Sequence, residues 1–188
     1  MKNIYKLGLA LCVISGAAQS AFAAQNLTTW NQSGVAVNFM GTTSATLFTG
    51  SGQSSTSTSA FGGTDGTILS KNVSLAAGKT VSFTWDFHAT DYLPYNDFAD
   101  VEIGSQVFRL SDVASLGEGG DSGAQSFSYT LTSAVTGPIA FIVSNADDNA
   151  VSSYVTISDV SAVPESTNMA LMLAGMGLLG VVARRRSL

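Results

Sequence analysis

Short segments in which apolar and polar residues alternate dominate the chain between its two ends. The clearest is Thr80–Phe87, where large apolar residues at positions 81, 83, 85 and 87 alternate with small or acidic polar ones. A period of two places the apolar side chains on one face of a β-strand. Similar patterns occupy Val35–Met40, Ala45–Thr49, Ile68–Leu75, Val101–Ile103, Gln106–Leu110, Phe127–Leu131, Ile139–Val143 and Tyr154–Val163. Eight or so strands separated by turns predict an all-β fold, an antiparallel β-sandwich of the jelly-roll type.

One interior stretch, Gly50–Gly66, lacks this alternation and is composed mainly of Ser, Thr and Gly. Such composition is typical of a long mobile surface loop, which is the interpretation we favour. A loop that contacts glycans or carries O-linked modifications remains an alternative.

The N-terminus has the layout of a secretory signal peptide. Lys2 and Lys6 precede the apolar stretch Leu7–Ala18, and Ala21 and Ala23 supply the small residues at positions −3 and −1 of a cleavage site. Residues 1–23 are therefore predicted to direct export through the Sec machinery and to be removed. The chain's single cysteine lies in this segment, so the exported protein is predicted to have neither a disulfide nor a thiolate.

The C-terminal tail, residues 163–188, has three parts. Val163-Pro164-Glu165 comes first, the uncharged stretch Met169–Ala183 follows, and Arg184, Arg185 and Arg186 come last. As a helix the uncharged stretch would be about 22 Å long, shorter than the ~30 Å hydrocarbon core of a bilayer. The arginines are expected to stay on the cytoplasmic side. This pattern predicts either a weak permanent transmembrane anchor or a sorting signal held in the membrane only until it is removed.

These three parts resemble the PEP-CTERM sorting domain, with Ser166 where the usual motif has its second proline. The resemblance implies an exported protein of a Gram-negative bacterium that makes exopolysaccharide. It also implies transient anchoring in the inner membrane by helix 169–183, cleavage near Pro164-Glu165 by an exosortase, and a final location at the cell envelope, the outer surface or the extracellular matrix.

Between the two ends, residues 24–162 form one domain's worth of chain with a strongly acidic balance. Removing both ends leaves Lys71, Lys79 and Arg109 as the basic residues, whereas all thirteen acidic residues of the chain lie after residue 23. A surface with so few cations repels nucleic acid, which requires clustered Lys and Arg. The same surface suits divalent cations.

The acidic residues concentrate in Trp85–Ile103, which contains no Lys or Arg. Oxygen ligands from Asp, Asn and backbone carbonyls of irregular loops are those that Ca²⁺ prefers. We therefore identify Asp91, Asn96, Asp97 and Asp100 as candidate calcium ligands, although the spacing is not that of an EF-hand. In the alternative interpretation, Asp91 and Asp97 cap turns while Asp100 and Glu102 lie on a solvated strand face.

Two further acidic stretches, Asn145–Asn149 and Gly117–Gly123, lie in predicted turns. If the first of them falls at the same edge of the sandwich as the Asp91–Asp97 loop, the two could share an ion.

The stretch from Thr84 to Val101 and the segment Ser153–Val160 resemble jelly rolls of bacterial surface proteins, including galactose-binding-like and carbohydrate-binding modules. In such modules an Asp of the last strand often lies near a structural Ca²⁺, and the resemblance implies this role for Asp159. Tyr92 and Tyr95 are candidate sugar-stacking residues, with packing of the loop against the sandwich as the alternative.

Catalysis finds little support in the sequence. His88, the chain's only histidine, is predicted to be a turn residue, and no Gly-x-Ser-x-Gly motif occurs. We therefore expect a non-catalytic exported protein associated with exopolysaccharide or biofilm. A calcium-stabilised carbohydrate-binding module is the first alternative. A small polysaccharide hydrolase using a carboxylate pair such as Asp91 and Asp97 is the second.

Overall fold

The computed structural model describes residues 24–52 and 56–162. Within these residues the chain forms two antiparallel β-sheets, which confirms the predicted all-β sandwich. None of the helices in this part of the chain is long and apolar enough to cross a membrane. The predicted signal peptide (residues 1–23), the sorting motif and the transmembrane helix at residues 169–183 lie outside the described residues.

The first sheet has six strands, and its long strands are ordered β5, β11, β7, β8. The short strands β1 and β4 pair with the free edge of β5. The strands of this sheet are β1 (Asn31–Ser33), β4 (Thr56–Ser57), β5 (Asp65–Leu75), β7 (Phe98–Ile103), β8 (Gln106–Asp112) and β11 (Val135–Ser144).

The second sheet also has six strands, in the order β10, β6, β12, β3, β2, with the two-residue strand β9 paired to the end of β6. A short helix α1 (Val113–Leu116) leads from β8 towards β9. Two 3₁₀ turns, Leu27–Thr29 and Ser59–Phe61, complete the described elements. The strands of this sheet are β2 (Ala36–Phe39), β3 (Ser44–Phe48), β6 (Thr80–Ala89), β9 (Gly120–Asp121), β10 (Gln125–Thr130) and β12 (Tyr154–Ser161).

The apolar faces of the two sheets meet in a single core. Phe141 on β11 is fully buried, stacks on Trp30 with a ring-centroid distance of 5.7 Å, and meets Phe83 of the other sheet edge-on at 4.9 Å. Alternation along β6 places Val81, Phe83 and Phe87 in this core, as their spacing predicted. The polar residues between them lie on the outer face of the second sheet.

Two details depart from the sequence predictions. The stretch Gly50–Gly66, predicted as one loop, contains β4 and a 3₁₀ turn because its Thr and Ser backbone groups pair with the beginning of β5. His88, predicted as a turn residue, lies within β6, because β9 supplies a pairing partner for the last two residues of that strand. Strand β6 is therefore longer than its local sequence predicts, because β9, which is distant in the sequence, pairs with its last residues.

The connections between strands lie at two opposite ends of the sandwich. The β7–β8 hairpin closes through Gly104, whose φ of 67° is left-handed and favours glycine. At the opposite end of β7, the connections 90–97, 113–121 and 145–153 emerge between strand ends. We call this the acidic end, because it contains six of the chain's acidic residues.

Candidate functional site

The acidic end brings together residues that are far apart in the sequence. The 90–97 loop connects β6 to β7, and the 145–153 loop connects β11 to β12. Ala146 in the second loop donates its backbone N–H to Asp97 Oδ1 in the first, at 3.2 Å. The two acidic stretches therefore fall at one edge of the sandwich, where they could share an ion.

Two carboxylates at this edge are almost completely buried. Asp91 is 1% exposed and Asp97 is 0% exposed. One oxygen of each accepts a backbone hydrogen bond, from Tyr92 N–H at 2.8 Å and from Ala146 N–H respectively. The second oxygen, Oδ2, has no hydrogen-bond partner among the described residues in either case. A buried acceptor without a partner costs free energy comparable to a lost hydrogen bond, and a charged one costs more.

Asn145 has a third buried side-chain oxygen without a hydrogen-bond partner among the described residues. Its side-chain amide donates from Nδ2 to Asp65 Oδ1 at 2.9 Å, which fixes which way the amide points. Its Oδ1 has no partner among the described residues, and Asn145 is 0% exposed. We refer to Asp91 Oδ2, Asp97 Oδ2 and Asn145 Oδ1 as the buried oxygen cluster. Asn145 immediately precedes Ala146, whose N–H contacts Asp97, and Asp91 is close enough to Asp97 for its charge to act on that carboxyl group.

Burial changes the acidity of both carboxyl groups. It raises the pKa of Asp97 to about 7, against the opposing effect of the Ala146 N–H and of the nearby N–H and hydroxyl of Ser153, which form no well-aligned hydrogen bond with it, and the charge of Asp91 raises it further. Burial likewise raises the pKa of Asp91, where the Tyr92 N–H opposes the shift and the charges of Asp148 and Glu118 add to it. Each group thus lacks a positive charge to stabilise its ionised form.

These features fit a hard divalent cation. Ca²⁺ binds six to eight oxygens supplied by carboxylates, amide and backbone carbonyls and water, typically from irregular loops. The buried oxygen cluster offers two carboxylate oxygens and one amide oxygen that form no other hydrogen bond in the described residues. A bound cation would remove the cost of leaving them unpaired and the repulsion between Asp91 and Asp97.

The other predicted calcium ligands have different partners. Asn96 Oδ1 accepts a hydrogen bond at 2.7 Å from the N–H of Ala114 in the first turn of α1. Asp159 lies within β12 at a register shift, with a left-handed φ of 55° and an exposed side chain. It is five residues beyond the start of that strand, roughly 17 Å from the acidic end. The structure brings neither residue into the buried oxygen cluster.

Asp100, the remaining predicted ligand, has a cationic partner on the neighbouring strand. It is 2% exposed, and its Oδ1 lies 2.6 Å from Nε of Arg109, which is paired with it across β7 and β8. The guanidinium also lies 3.6 Å from the centre of the Phe98 ring. Although Oδ1 lacks a well-aligned hydrogen bond, its charge is compensated by Arg109. The alternative prediction of a solvated Asp100 was wrong, because β7 is buried on both faces.

The two predicted sugar-stacking residues lie next to the buried oxygen cluster. Tyr92 is 47% exposed and follows Asp91 directly, and its ring meets that of Tyr95 edge-on at 5.5 Å. The N–H of Tyr95 closes a turn onto the carbonyl of Tyr92 at 2.9 Å. Tyr92 thus projects from the loop, whereas Tyr95 is only partly exposed and supports it.

Sequence reasoning did not assign individual roles to Asn145 or Ser153, although it identified the acidic stretch that contains Asn145. Their positions depend on where β11 and β12 end relative to β7, and no local signal encodes this. A second cluster, formed by Asp86, His88 and Asp121, was also missed. The period of two in β6 already placed Asp86 and His88 on one face, but the pairing that adds Asp121 is long-range.

Without divalent cations, we expect the free energy of unfolding to fall as pH rises from about 4 to about 7. The raised pKa of Asp97 means that the folded state retains a proton in this range that the unfolded state, with its ordinary pKa near 4, has released. The loss is on the order of a few kcal/mol. Urea unfolding in EDTA at a series of pH values measures it.

Asp97→Asn should reduce this slope, because the amide has no proton to lose. Asp159→Asn, a change at an exposed acid whose left-handed backbone suits asparagine, should leave it intact. An equal slope in the wild type and in Asp97→Asn would contradict the expectation.

A scan against models of known protein families gave no match to this chain, and a search of curated proteins gave none either. The resemblances to the PEP-CTERM sorting domain and to carbohydrate-binding modules therefore stay predictions from the sequence. What the acidic end does has to be argued from its own residues.

Proposed function

We propose that this protein is an exported, non-catalytic component of the cell surface or extracellular matrix whose β-sandwich is stabilised by bound Ca²⁺. The observation that carries the proposal is the buried oxygen cluster at the acidic end, in which two carboxylate oxygens and one amide oxygen have no partner among the described residues. Asp91, Asp97 and Asn145 would hold the ion, with backbone carbonyls and water completing its coordination.

Calcium suits the cluster better than magnesium. Mg²⁺ requires a nearly ideal octahedron and retains several of its waters, whereas Ca²⁺ accepts irregular sets of protein oxygens. Extracellular calcium modules work at dissociation constants of about 10⁻⁴–10⁻³ M, so they need few charged ligands. Two carboxylates at an already acidic end of the molecule meet that requirement.

Export is supported by the sequence at both ends of the chain. The charged start, apolar stretch and Ala21-x-Ala23 pattern favour removal of residues 1–23 after Sec-dependent export. The Val163-Pro164-Glu165 motif, the uncharged stretch 169–183 and Arg184–Arg186 favour sorting by an exosortase and association with exopolysaccharide. The acidic balance of residues 24–162 is compatible with this extracellular role and argues against a nucleic-acid partner.

The strand order favours a jelly roll within the general sandwich class. The eight main strands are ordered β3, β12, β6, β10 in one sheet and β5, β11, β7, β8 in the other. In sequence the chain therefore crosses repeatedly between the sheets, as it does in a double Greek key. The long connections of such a fold gather at its ends, where the proposed calcium site lies.

A non-catalytic role is favoured over the hydrolase alternative by the burial of the carboxylate pair. A glycosidase presents its two carboxyl groups across a cleft on either side of the scissile bond. Asp91 and Asp97 are 1% and 0% exposed, so a sugar could not lie between them without displacing the loops that cover them.

A carbohydrate-binding activity is the second candidate, and the exposure of Tyr92 favours it. An aromatic ring that is 47% exposed beside a rigidly held loop offers a face for stacking against a sugar. Tyr95, packed edge-on against it, would hold the ring in position. Calcium binding to Asp91 would fix the adjacent Tyr92.

Adding Ca²⁺ should raise the melting temperature of the protein, and EDTA should lower it. Ligand binding stabilises the folded state by about 2.7 kcal/mol at about 100-fold excess over the dissociation constant. Asp97→Asn and Asn145→Ala should each abolish most of the calcium-dependent increase, measured by differential scanning calorimetry. Asp159→Asn is the matched control, because it removes one exposed carboxylate outside the cluster. An unchanged melting temperature in wild-type protein would refute the calcium site.

Protein recovered from the culture of the native bacterium should lack residues 1–23 and the tail after the Pro164-Glu165 motif. Intact-mass spectrometry measures both ends at once. Ala23→Tyr should retain the leader, because a bulky residue at position −1 blocks signal peptidase. A soluble intracellular species with Met1 and Leu188 still present would refute export and sorting.

If the module binds carbohydrate, Tyr92→Ala should weaken glycan binding roughly tenfold, which corresponds to about 1.4 kcal/mol for one stacked ring. Glycan-array screening followed by titration of the best ligand provides the measurement. Val107→Ala is the control, because Val107 is also 47% exposed but lies on β8. Equal affinities of Tyr92→Ala and wild type would exclude Tyr92 from the sugar site.

A further inference from the structure

A second cluster of potential ligands lies on the outer face of the second sheet. Asp86 and His88 are two residues apart on β6, so both side chains point away from the core. Asp121 on β9 is paired directly with His88. One ligand atom from each of the three side chains can be chosen so that all lie within 4.8 Å of one another. This outer-face cluster shares no residue with the buried oxygen cluster.

Each nitrogen of the His88 imidazole lies near one of the two carboxylates. Its Nε2 is 3.4 Å from Asp86 Oδ2, and its Nδ1 is 3.4 Å from Asp121 Oδ2. The opposite oxygen of each carboxylate is held by a neighbour, since Ser122 Oγ donates to Asp86 Oδ1 at 3.2 Å and Gly123 N–H donates to Asp121 Oδ1 at 2.7 Å. The Oδ2 atom of each carboxylate is the oxygen nearer to the histidine.

Aromatic neighbours fix the orientation of the histidine ring. Tyr154 stacks on it with a centroid distance of 4.4 Å and an interplanar angle of 15°. Phe48 contacts Tyr154 in turn, at 5.5 Å. Because Phe48, Tyr154 and His88 contact one another through their rings, they are poorly suited to stacking against a sugar. Stacking against Tyr154 leaves the nitrogen-bearing edge of His88 beside the two carboxylates.

The charge at this cluster is not balanced by a Lys or Arg. Among the described residues, neither Asp86 nor Asp121 forms an ion pair with either residue type, and the only cationic candidate beside them is His88 itself. A carboxylate without a Lys or Arg partner therefore lies near each nitrogen of the imidazole.

We propose that this outer-face cluster binds a divalent transition-metal ion such as Zn²⁺, with His88 Nε2 and Asp86 Oδ2 as ligands. Atoms bound to zinc at about 2.0–2.1 Å in tetrahedral geometry lie roughly 3.4 Å apart, which matches the distance between these two atoms. Imidazole together with carboxylate suits zinc and its neighbours in the first transition row, whereas the all-oxygen buried cluster suits calcium. Water completes the coordination.

Asp121 acts as a positioning residue. Its Oδ2 lies 3.4 Å from Nδ1 and would accept the proton on that nitrogen when the ion is bound, which leaves the lone pair of Nε2 for the metal, as in carboxylate–histidine–zinc arrangements. Because Asp121 is on β9 and the metal is held by β6, the bound ion would fasten the Gly117–Gly123 turn to the sheet.

The test uses the full chain, purified metal-free and without a polyhistidine tag, with calcium present to occupy the other cluster. His88 is the only histidine, so the NMR signals of the imidazole report on this site alone. Titration with zinc chloride should shift the Nε2 signal strongly and retain Nδ1 as the protonated nitrogen. That tautomer is a signature that a merely structural role for Asp121 would not produce.

His88→Gln should abolish zinc binding measured by isothermal titration calorimetry, and Asp86→Asn should weaken it by more than tenfold. Asp121→Asn should weaken it about tenfold, at the lower end of the 10–100-fold loss typical of outer partners. Asp147→Asn, which changes an exposed acid with a left-handed φ of 73°, should bind zinc as wild type does.

Melting curves without zinc establish that each variant folds. Unshifted His88 signals on adding zinc, or equal zinc affinity of His88→Gln and wild type, would overturn the proposal. Either result would leave His88 as the partner of two carboxylates, and neither depends on whether calcium binds Asp91 and Asp97.

Discussion

The burial of Asp91 and Asp97 constrains the acidic end more than any other feature. Each carboxylate has one hydrogen-bonded oxygen and one without a partner in the described residues, and no Lys or Arg pairs with either of them there. Desolvation of a charge is expensive unless a counter-charge or a proton accompanies it. The raised pKa of Asp97 and the proposed calcium ion are two ways in which the same cost is met.

This constraint is tolerable because the sandwich holds the loops firmly. Phe141, Phe83 and Trp30 join the two sheets in one core, and the strands that begin or end at the acidic end are anchored in it. The strand pairings fix Asn145 next to the 90–97 loop whether or not an ion is bound. A preorganised set of oxygens binds a cation with little loss of conformational entropy.

The two proposed cation sites differ in position and in the chemistry of their donor atoms. Inside the acidic end, carboxylate and amide oxygens without nitrogen ligands favour a hard ion. On the outer face of the second sheet, one imidazole between two carboxylates favours a transition metal. Asp100 differs from both sites, because its charge is compensated by Arg109 on the adjacent strand.

The strands themselves were largely predictable, since alternation of period two is local. Thr80–Phe87 and Ile139–Val143 lie within β6 and β11 because each apolar residue needs only to face the same side as its second neighbour. Asp91 and Asp97 were predicted as ligands for the same kind of reason: both lie in a short stretch without cations. The sequence thus determined the fold class, the acidic character of the loops and the membership of these two carboxylates in a candidate site.

Only the tertiary structure decided which residues accompany them. Asn145 is 48 residues beyond Asp97, and its approach depends on β11 pairing with β7. Asn96 and Asp100 were predicted ligands by composition and Asp159 by resemblance, but the structure places them against a helix N–H, an arginine and solvent. His88 changed from a turn to a strand residue when β9 paired with it. Local sequence specifies what each residue can do, and long-range pairing specifies which residues meet.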